Sequence, residues 1–516
     1  MASPSPSSSC ADVPWVLAAV CLAGLAMPLS FTGPAVVLPL LREALGGSPV
    51  GLHWATNAFM LSFGAALMAA GALADNVGRR RVFLGGLLLA VASGAALACA
   101  PNLLVFNLLR GVQGLAAAAA LAGGSAALAQ VVQGTARTRA FGWLGASFGA
   151  GLAFGPLAEG LLGDSLGWRA VVLLPGLVSV SAFAIGAWRM PASRSIAATR
   201  LDGAGTLAFT LALGLLTLGV LQAPAHGWGT AQVVVPLAGA ALAALLFVRT
   251  EARLLRQGGQ PMLDMTLFRY PRFVGVQLLA AAPAYGFVVL LVLLPIRFIG
   301  LEGRSSWEAG QLMLLLSGPI LLMPGIAARL VGRWSAAAVC AAGLVLCAAG
   351  LLWLGRCGPA TGVRGYAGPL LAIGLGVGLP WGLMDGLAVS VVPRERAGMA
   401  AGIFNTVRVA GEGIALALVG AGLGALLADQ LGHAFPGAGP AAAQAAQRLA
   451  TGDLAQALAL LPGATRADLL HAYALAFGRL TQVLAGVTLA TAGVVFLFLR
   501  TPDLHGAEGQ LAAGQG

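Results

Sequence analysis

Apolar runs of roughly twenty residues, separated by short polar turns, recur along nearly the whole chain. They fall at about 14–38, 53–73, 82–100, 103–130, 140–162, 169–188, 204–222, 231–249, 273–297, 307–329, 335–355, 366–390, 398–427 and 472–499. A run of that length and polarity matches a membrane-spanning helix, about 30 Å long at 1.5 Å per residue. The pattern predicts an all-α polytopic membrane protein with fourteen spans. The runs group as six, two and six: a first bundle over 14–188, a linking pair over 204–249 and a second bundle over 273–499. Polar tails occupy 1–13 and 500–516. The loops flanking the pair, 189–203 and 250–272, are too short for a soluble domain. The long connection is 428–471, rich in Ala, Gly and Gln, and a short amphipathic helix is expected within 441–461.

One turn organises this pattern. Gly71, Asp75, Gly78, Arg79, Arg80 and Arg81 lie between the second and third runs. So short a junction makes the two helices antiparallel neighbours. Gly78 suits a tight turn and Gly71 a close backbone approach. Asp75 suits a helix start or an arginine partner. Gly325, Arg329, Gly332 and Arg333 repeat the spacing in the second half. Such internal symmetry is common in secondary transporters.

Composition sharpens the class. The 516 residues are 59% hydrophobic and only 9% charged, too little polar surface for a soluble fold of this size. All 29 basic residues are arginine, and they are scattered through short loops with no basic groove, which argues against nucleic-acid binding. With both termini cytoplasmic, 18 of the 29 arginines fall on the inner side and 8 on the outer. Arg110, Arg408 and Arg479 remain at membrane depth. That bias favours the inward orientation and an even span count. No basic region precedes the first apolar run, which reads as a retained helix. The cysteines form no zinc or CxxC pattern, the histidines are isolated, and there is no GxxxxGK[ST] loop for ATP. Metal, cofactor and membrane-enzyme readings have no residue cluster to stand on.

Ionisable groups inside the apolar runs are costly and mark candidate function. Glu159 in the fifth span and Arg110 in the fourth are placed to pair across neighbouring helices. Glu412 lies about 20 Å into the thirteenth span, one turn after Arg408 on the same face. Protonation of a buried carboxylate there suits proton exchange. Asp385 and Trp381, one turn apart in the twelfth span, suit an organic cation; Asp385 equally suits an inner gate with Arg394 or Arg396. Ser30, Phe148, Phe154, Tyr285 and Asn405 are further candidate cavity residues. Gly151, Gly155, Pro156 and Gly160 make the fifth span a candidate packing hinge.

These features together resemble the major facilitator superfamily, and more narrowly its fourteen-span drug:proton antiporter branch, over about 14–500. The turn at 71–81 matches the family's loop signature. Leu109-Arg110-Gly111 with Gln113-Gly114 matches the fourth-helix signature, whose arginine the family associates with proton coupling. Gly151, Gly155, Pro156 and Gly160 match the fifth-helix antiporter signature. Trp168-Arg169, Asp202-Gly203 and Asn405-Thr406 with Arg408 match further positions. The resemblance implies a major facilitator fold of two six-helix bundles plus two extra helices. It implies a proton-driven exporter of small amphipathic compounds in a bacterial inner membrane, with Gly71, Asp75, Gly78 and Arg79 as an inner-face latch. The implied partners are substrate, protons and lipids, with a periplasmic adaptor left open. The chain departs from the branch in its acids. Ser30 stands where the first helix usually carries aspartate, while Glu159 and Glu412 occupy small-residue positions. Coupling would then move to Glu159, Glu412 or Asp385, or use another ion. A narrow exporter of one metabolite is the alternative reading, and a sensing or structural membrane protein a third.

Overall fold

The computed structural model describes residues 12–132, 134–191, 203–257, 265–359, 361–391 and 397–500. All long elements are helices: α1 (Val13–Val36), α2 (Leu38–Leu45), α3 (Pro49–Val77), α4 (Arg79–Ala98), α5 (Leu103–Val131), α6 (Gly134–Leu166), α7 (Trp168–Arg189), α8 (Gly203–His226) and α9 (Ala231–Arg256). There follow α10 (Pro271–Pro283), α11 (Val289–Pro295), α12 (Ser306–Leu330), α13 (Ala336–Leu354), α14 (Val363–Ser390), α15 (Ala397–Ala434), α16 (Pro440–Ala450), α17 (Leu454–Leu460) and α18 (Arg466–Arg500). Thirteen helices among the described residues are long and apolar enough to cross a membrane. The second predicted span lies on α3, a further continuous helix of 29 residues.

Local chemistry sets the helix ends. Ser48 accepts a hydrogen bond from the Gly51 amide and caps α3. Gly78, at φ 117°, ends α3 and starts α4 in one residue, a conformation that disfavours any side chain. Pro39, near the start of α2, follows a break at Val37 that offsets α2 from α1. The ninth predicted span is longer than its apolar run. α10 and α11 join through a π-helical turn, Ala284–Val288, and a second, Ile296–Leu301, extends them, so Pro271–Leu301 runs as one span. The 428–471 connection folds into α16 and α17. Ala442, Ala445, Ala446 and Leu449 of α16 are buried, and the helix packs on α15.

The two halves of the chain repeat one another's packing. In the first, α3 and α4 each pack on α5, α1 packs on α6 and α7, and α4 packs on α7. In the second, α12 and α13 each pack on α14, α10 packs on α15 and α18, and α13 packs on α18. α8 and α9 pair with each other, and α8 rests on α3 and α15. The halves meet along two equivalent seams, α6 against α12 and α3 against α15.

Both seams are tight at one end and absent at the other. A Cβ on Gly160 would lie 2.4 Å from the Ser306 carbonyl oxygen, and one on Gly310 would lie 2.7 Å from Leu157 Cα. Farther along α6, Gly149 has ordinary contact with Leu321 at 3.8 Å, and Gly145 and Gly142 have nothing within 4 Å. On the second seam a Cβ on Gly420 would lie 3.4 Å from His53 and one on Gly64 would lie 3.0 Å from the Ala410 amide, while one on Gly71 would meet nothing within 4 Å. The halves therefore splay apart toward the end carrying Arg79–Arg81. Gly71 does not make the close backbone approach expected of it, because it lies beyond the point where the seam opens.

Overpacking a closed seam costs about 1–3 kcal/mol, whereas an open position tolerates added volume. Gly310→Val is expected to lower the thermal midpoint of the purified protein, and Gly145→Val to leave it near wild type. Equal effects of the two would contradict the splayed arrangement.

Candidate transport site

The opening between the halves narrows to an aromatic group shared by both. Phe148 of α6 and Trp381 of α14 lie with ring centroids 6.4 Å apart, and Phe287 stands edge-on to Trp381 at 6.1 Å. Two other sequence candidates are not part of it. Phe154 is 51% exposed and does not join these ring pairs. Tyr285 turns to α18, where its hydroxyl meets Thr491. Ser30 is buried and donates to the Ala26 carbonyl within its own helix at 3.0 Å, so its hydroxyl is engaged locally.

One turn nearer the opening, Arg408 of α15 reaches Asp385 of α14 at 3.6 Å and donates to Asn405 at 2.9 Å. Its guanidinium also lies 5.6 Å from the Phe404 ring centroid. Asp385 is 63% exposed in this pair, which faces the cleft. Arg394 and Arg396, the expected gate partners of Asp385, lie outside the described residues. Arg408 does not form an ion pair with Glu412. Glu412 is buried and makes no hydrogen bond or ion pair among the described residues. Its neighbour Gly413 faces Met60 and Leu61, which sets Glu412 on the α3–α15 seam.

The second carboxylate is enclosed in the first half, near the closed end. Glu159 of α6 has no exposed surface. Thr32 of α1 donates to Oε1 at 3.0 Å, and Oε2 has no partner. Gly33 and Gly155 flank it and leave it room. Arg110 of α5, 1% exposed, donates to the Ala55 carbonyl at 2.8 Å and to Gln113, and its guanidinium lies 4.8 Å from the Phe59 ring centroid. Its Nη2 has no partner. The expected Arg110–Glu159 contact is thus a through-space attraction rather than a direct ion pair, because Arg110 is held by α3 and its own helix. Sequence reasoning missed the roles of Thr32 and Gln113. Both are polar residues in apolar runs, a signal available in the sequence, but their partners are distant in the chain.

The turn at Gly78–Arg81 is anchored within its own half. Arg79 donates to the Ala126 carbonyl and to Gln130, each at 3.3 Å, and Arg80 to the Ala187 carbonyl at 2.6 Å. The Asp75 side chain and Asp202 lie outside the described residues. Gly151 abuts the Leu25 carbonyl and Gly155 abuts Leu29, so both pack α6 on α1, while Pro156 and Gly160 lie at the α12 seam. Arg479 is not enclosed at membrane depth; it pairs with Asp429 at 3.2 Å at a half-exposed position. Two charged groups were not anticipated. Buried Glu302 joins Arg297, Arg304 and Tyr366 at 2.8–2.9 Å beyond α11. Arg42 of α2 faces Asp453 at 3.5 Å. No cluster of metal-binding side chains occurs among the described residues.

A membrane-embedded bundle of two repeated halves, split by a cleft with buried carboxylates, is the architecture of a small-molecule transporter. The Major Facilitator Superfamily family model matches residues 20–416, and the chain belongs to that family. Its members move solutes and are not enzymes. The Multidrug resistance protein Stp of Mycobacterium tuberculosis is 32% identical over 77% of this chain and 73% of its own length. The Cephamycin export protein CmcT of Amycolatopsis lactamdurans is 33% identical over 78% and 85%, respectively. The Tetracenomycin C resistance and export protein of Streptomyces glaucescens is 26% identical over 98% and 95%. The solved structure of a bacterial homologue of the human lysosomal transporter Spinster shares the fold, with a TM-score of 0.65 at 16% identity over 95% of this chain and 98% of that one. The relatives are bacterial, and this chain is a bacterial multi-pass membrane protein.

Losing the Thr32 hydroxyl leaves a buried carboxylate with no hydrogen bond, at a cost of about 1–3 kcal/mol. An ion pair as exposed as Asp385–Arg408 is worth under about 1 kcal/mol after screening by solvent. Thr32→Val is therefore expected to lower the thermal midpoint clearly and Asp385→Asn hardly at all. The reverse order would place the structural charge at the cleft instead.

Proposed function

We propose that the protein is a proton-coupled exporter of small amphipathic compounds that works by alternating access. The observation that carries this reading is the asymmetry of the two seams, which close at one end and part at the other around buried carboxylates. Two six-helix bundles, α1–α7 and α10–α18, would rock about the seams, with α8 and α9 as an added pair and fourteen spans in all. The arginine-rich turn lies on the cytoplasmic side in this reading, as do both termini, so the cleft opens inward.

In this mechanism substrate enters the cleft from the cytoplasm and rests on Phe148, Trp381 and Phe287. Ring faces and an exposed carboxylate at Asp385 favour a cation with an apolar body. Glu412 is the coupling acid. It lies on the seam between the halves, has no fixed partner, and is one turn from the Arg408–Asp385 pair. A proton arriving from outside neutralises Glu412 and displaces substrate; the protonated form returns to the inward-open state and gives the proton to the cytoplasm as new substrate binds. Exchange follows only because the two ligands prefer opposite states. Glu159 and Arg110 form a second enclosed charge system that sets the balance between the states. The latch role of Gly71, Asp75, Gly78 and Arg79 belongs to the outward-open state, in which the inner ends of the halves meet.

A narrower substrate range is the second reading. Two relatives are named for export of cephamycin and of tetracenomycin C, which favours a transporter dedicated to one metabolite. Competition by unrelated lipophilic cations separates the two.

In sealed vesicles holding a pH-sensitive dye, a lipophilic cation is expected to drive proton movement through the wild type. Glu412→Gln should abolish that movement while substrate still binds, and Asp385→Asn should weaken binding. Substrate flux with no proton movement at any pH would contradict the coupling.

A further inference from the structure

The stretch 428–471, from the end of α15 to the start of α18, carries several charged side chains, and nearly all of them are engaged. Asp429 meets Arg479 at 3.2 Å and His433 at 3.4 Å. Asp453 faces Arg42, and its other oxygen accepts from the Gln456 amide at 3.1 Å, capping α17. The Asp468 carboxylate accepts from both the amide and the hydroxyl of Thr465, and Arg466 donates to the Leu301 carbonyl. Arg448 differs. Its backbone carbonyl accepts from the Asp453 amide at 2.8 Å, but its guanidinium has no hydrogen bond or ion pair among the described residues. The nearest acid in sequence is already committed to Arg42 and to the helix cap.

Arg448 is half-buried and lines a cavity of about 320 Å³ with Pro49, Gln444, Gln447, Gln456 and Leu460. A narrower recess shares Pro49 and Gln447 and runs inward to His53 and Gly420. The volume is at the small end of ligand pockets. A half-buried arginine with no acid beside it is free to take an anionic oxygen, and the three glutamine amides add donors around the same opening. Pro49 and Leu460 supply an apolar wall. Because Pro49 belongs to the first half and the other residues to the second, the cavity spans the closed end of the molecule.

We propose that this cavity binds a small amphipathic organic anion, its acid group held by Arg448 and the glutamine amides and its apolar body against Pro49 and Leu460. An acidic lipid headgroup offers the same chemistry as a soluble anion, and the experiment separates the two. The site does not depend on the transport reading, since binding is read at equilibrium without flux.

The test uses the full chain in nanodiscs of zwitterionic lipid, with 5-carboxyfluorescein as the probe and fluorescence anisotropy as the readout. Saturable binding is expected, weakened at least about tenfold by Arg448→Gln and unaffected by Arg479→Gln. Gln456→Leu should weaken it less, and carries the test if Arg448→Gln melts early. Loss of probe binding on adding phosphatidylglycerol to the discs identifies the occupant as a lipid headgroup; retention identifies a soluble anion. No saturable binding, or equal binding by wild type and a stably folded Arg448→Gln, would overturn the proposal.

Discussion

The backbone contact between α6 and α12 at Gly160 and Gly310 is the interaction on which the rest of the arrangement depends. Lipid supplies no hydrophobic drive between helices, so close packing of small residues must hold the halves together. Side chains at those two positions would meet a backbone carbonyl and a backbone Cα at under 3 Å. The contact is therefore confined to glycine, and it exists at one end only. The equivalent α3–α15 seam is in contact at Gly420 and Gly64 and has no contact at Gly71. Two seams that part toward the same end make the cleft a property of how the halves meet, not of any single loop.

Charge is distributed according to this geometry. Groups enclosed in one half, such as Arg110 with Gln113 and Ala55, or Glu302 with its two arginines, are fixed by several partners. Groups at the cleft and on the seam are held loosely. Asp385 is mostly exposed, and Glu412 has no partner among the described residues. A buried polar group without a partner is expensive, and in membrane proteins that cost is generally retained where the group has work to do. Glu159 shares the feature inside the first half, where its Oε2 has no partner; in the proposed mechanism Glu412 is the carboxylate that changes state.

Much of the fold was legible in the sequence because lipid imposes one rule: every backbone group must be satisfied within a helix. Run length therefore located the spans, and the repeated glycine–arginine turn marked the two halves. The π-helical turns in Pro271–Leu301 and the break at Val37 left no trace in hydropathy, since they are adjustments of hydrogen bonding within an apolar run. Candidate charges were legible as residues out of place, yet their partners were not. Arg408 joins Asp385 on another helix instead of Glu412 one turn away, and Arg110 is held by the Ala55 carbonyl instead of Glu159. Helical periodicity gives the neighbours on one helix; the partners across helices follow from packing that one sequence does not encode locally. Phe154 shows the same limit, since aromatic residues that join a cavity group and those that do not look alike in the sequence.

The central claim is that the halves move against each other as two bodies about these seams. Spin labels at Gly145→Cys with Gly325→Cys, across the open end, and at Leu166→Cys with Trp307→Cys, near the closed end, report that motion as distance distributions. Across a pH series with and without a lipophilic cation, the account predicts two populations whose weights change together, the first distance shortening as the second lengthens. A single invariant distance at both ends, in protein that still moves substrate, would contradict it.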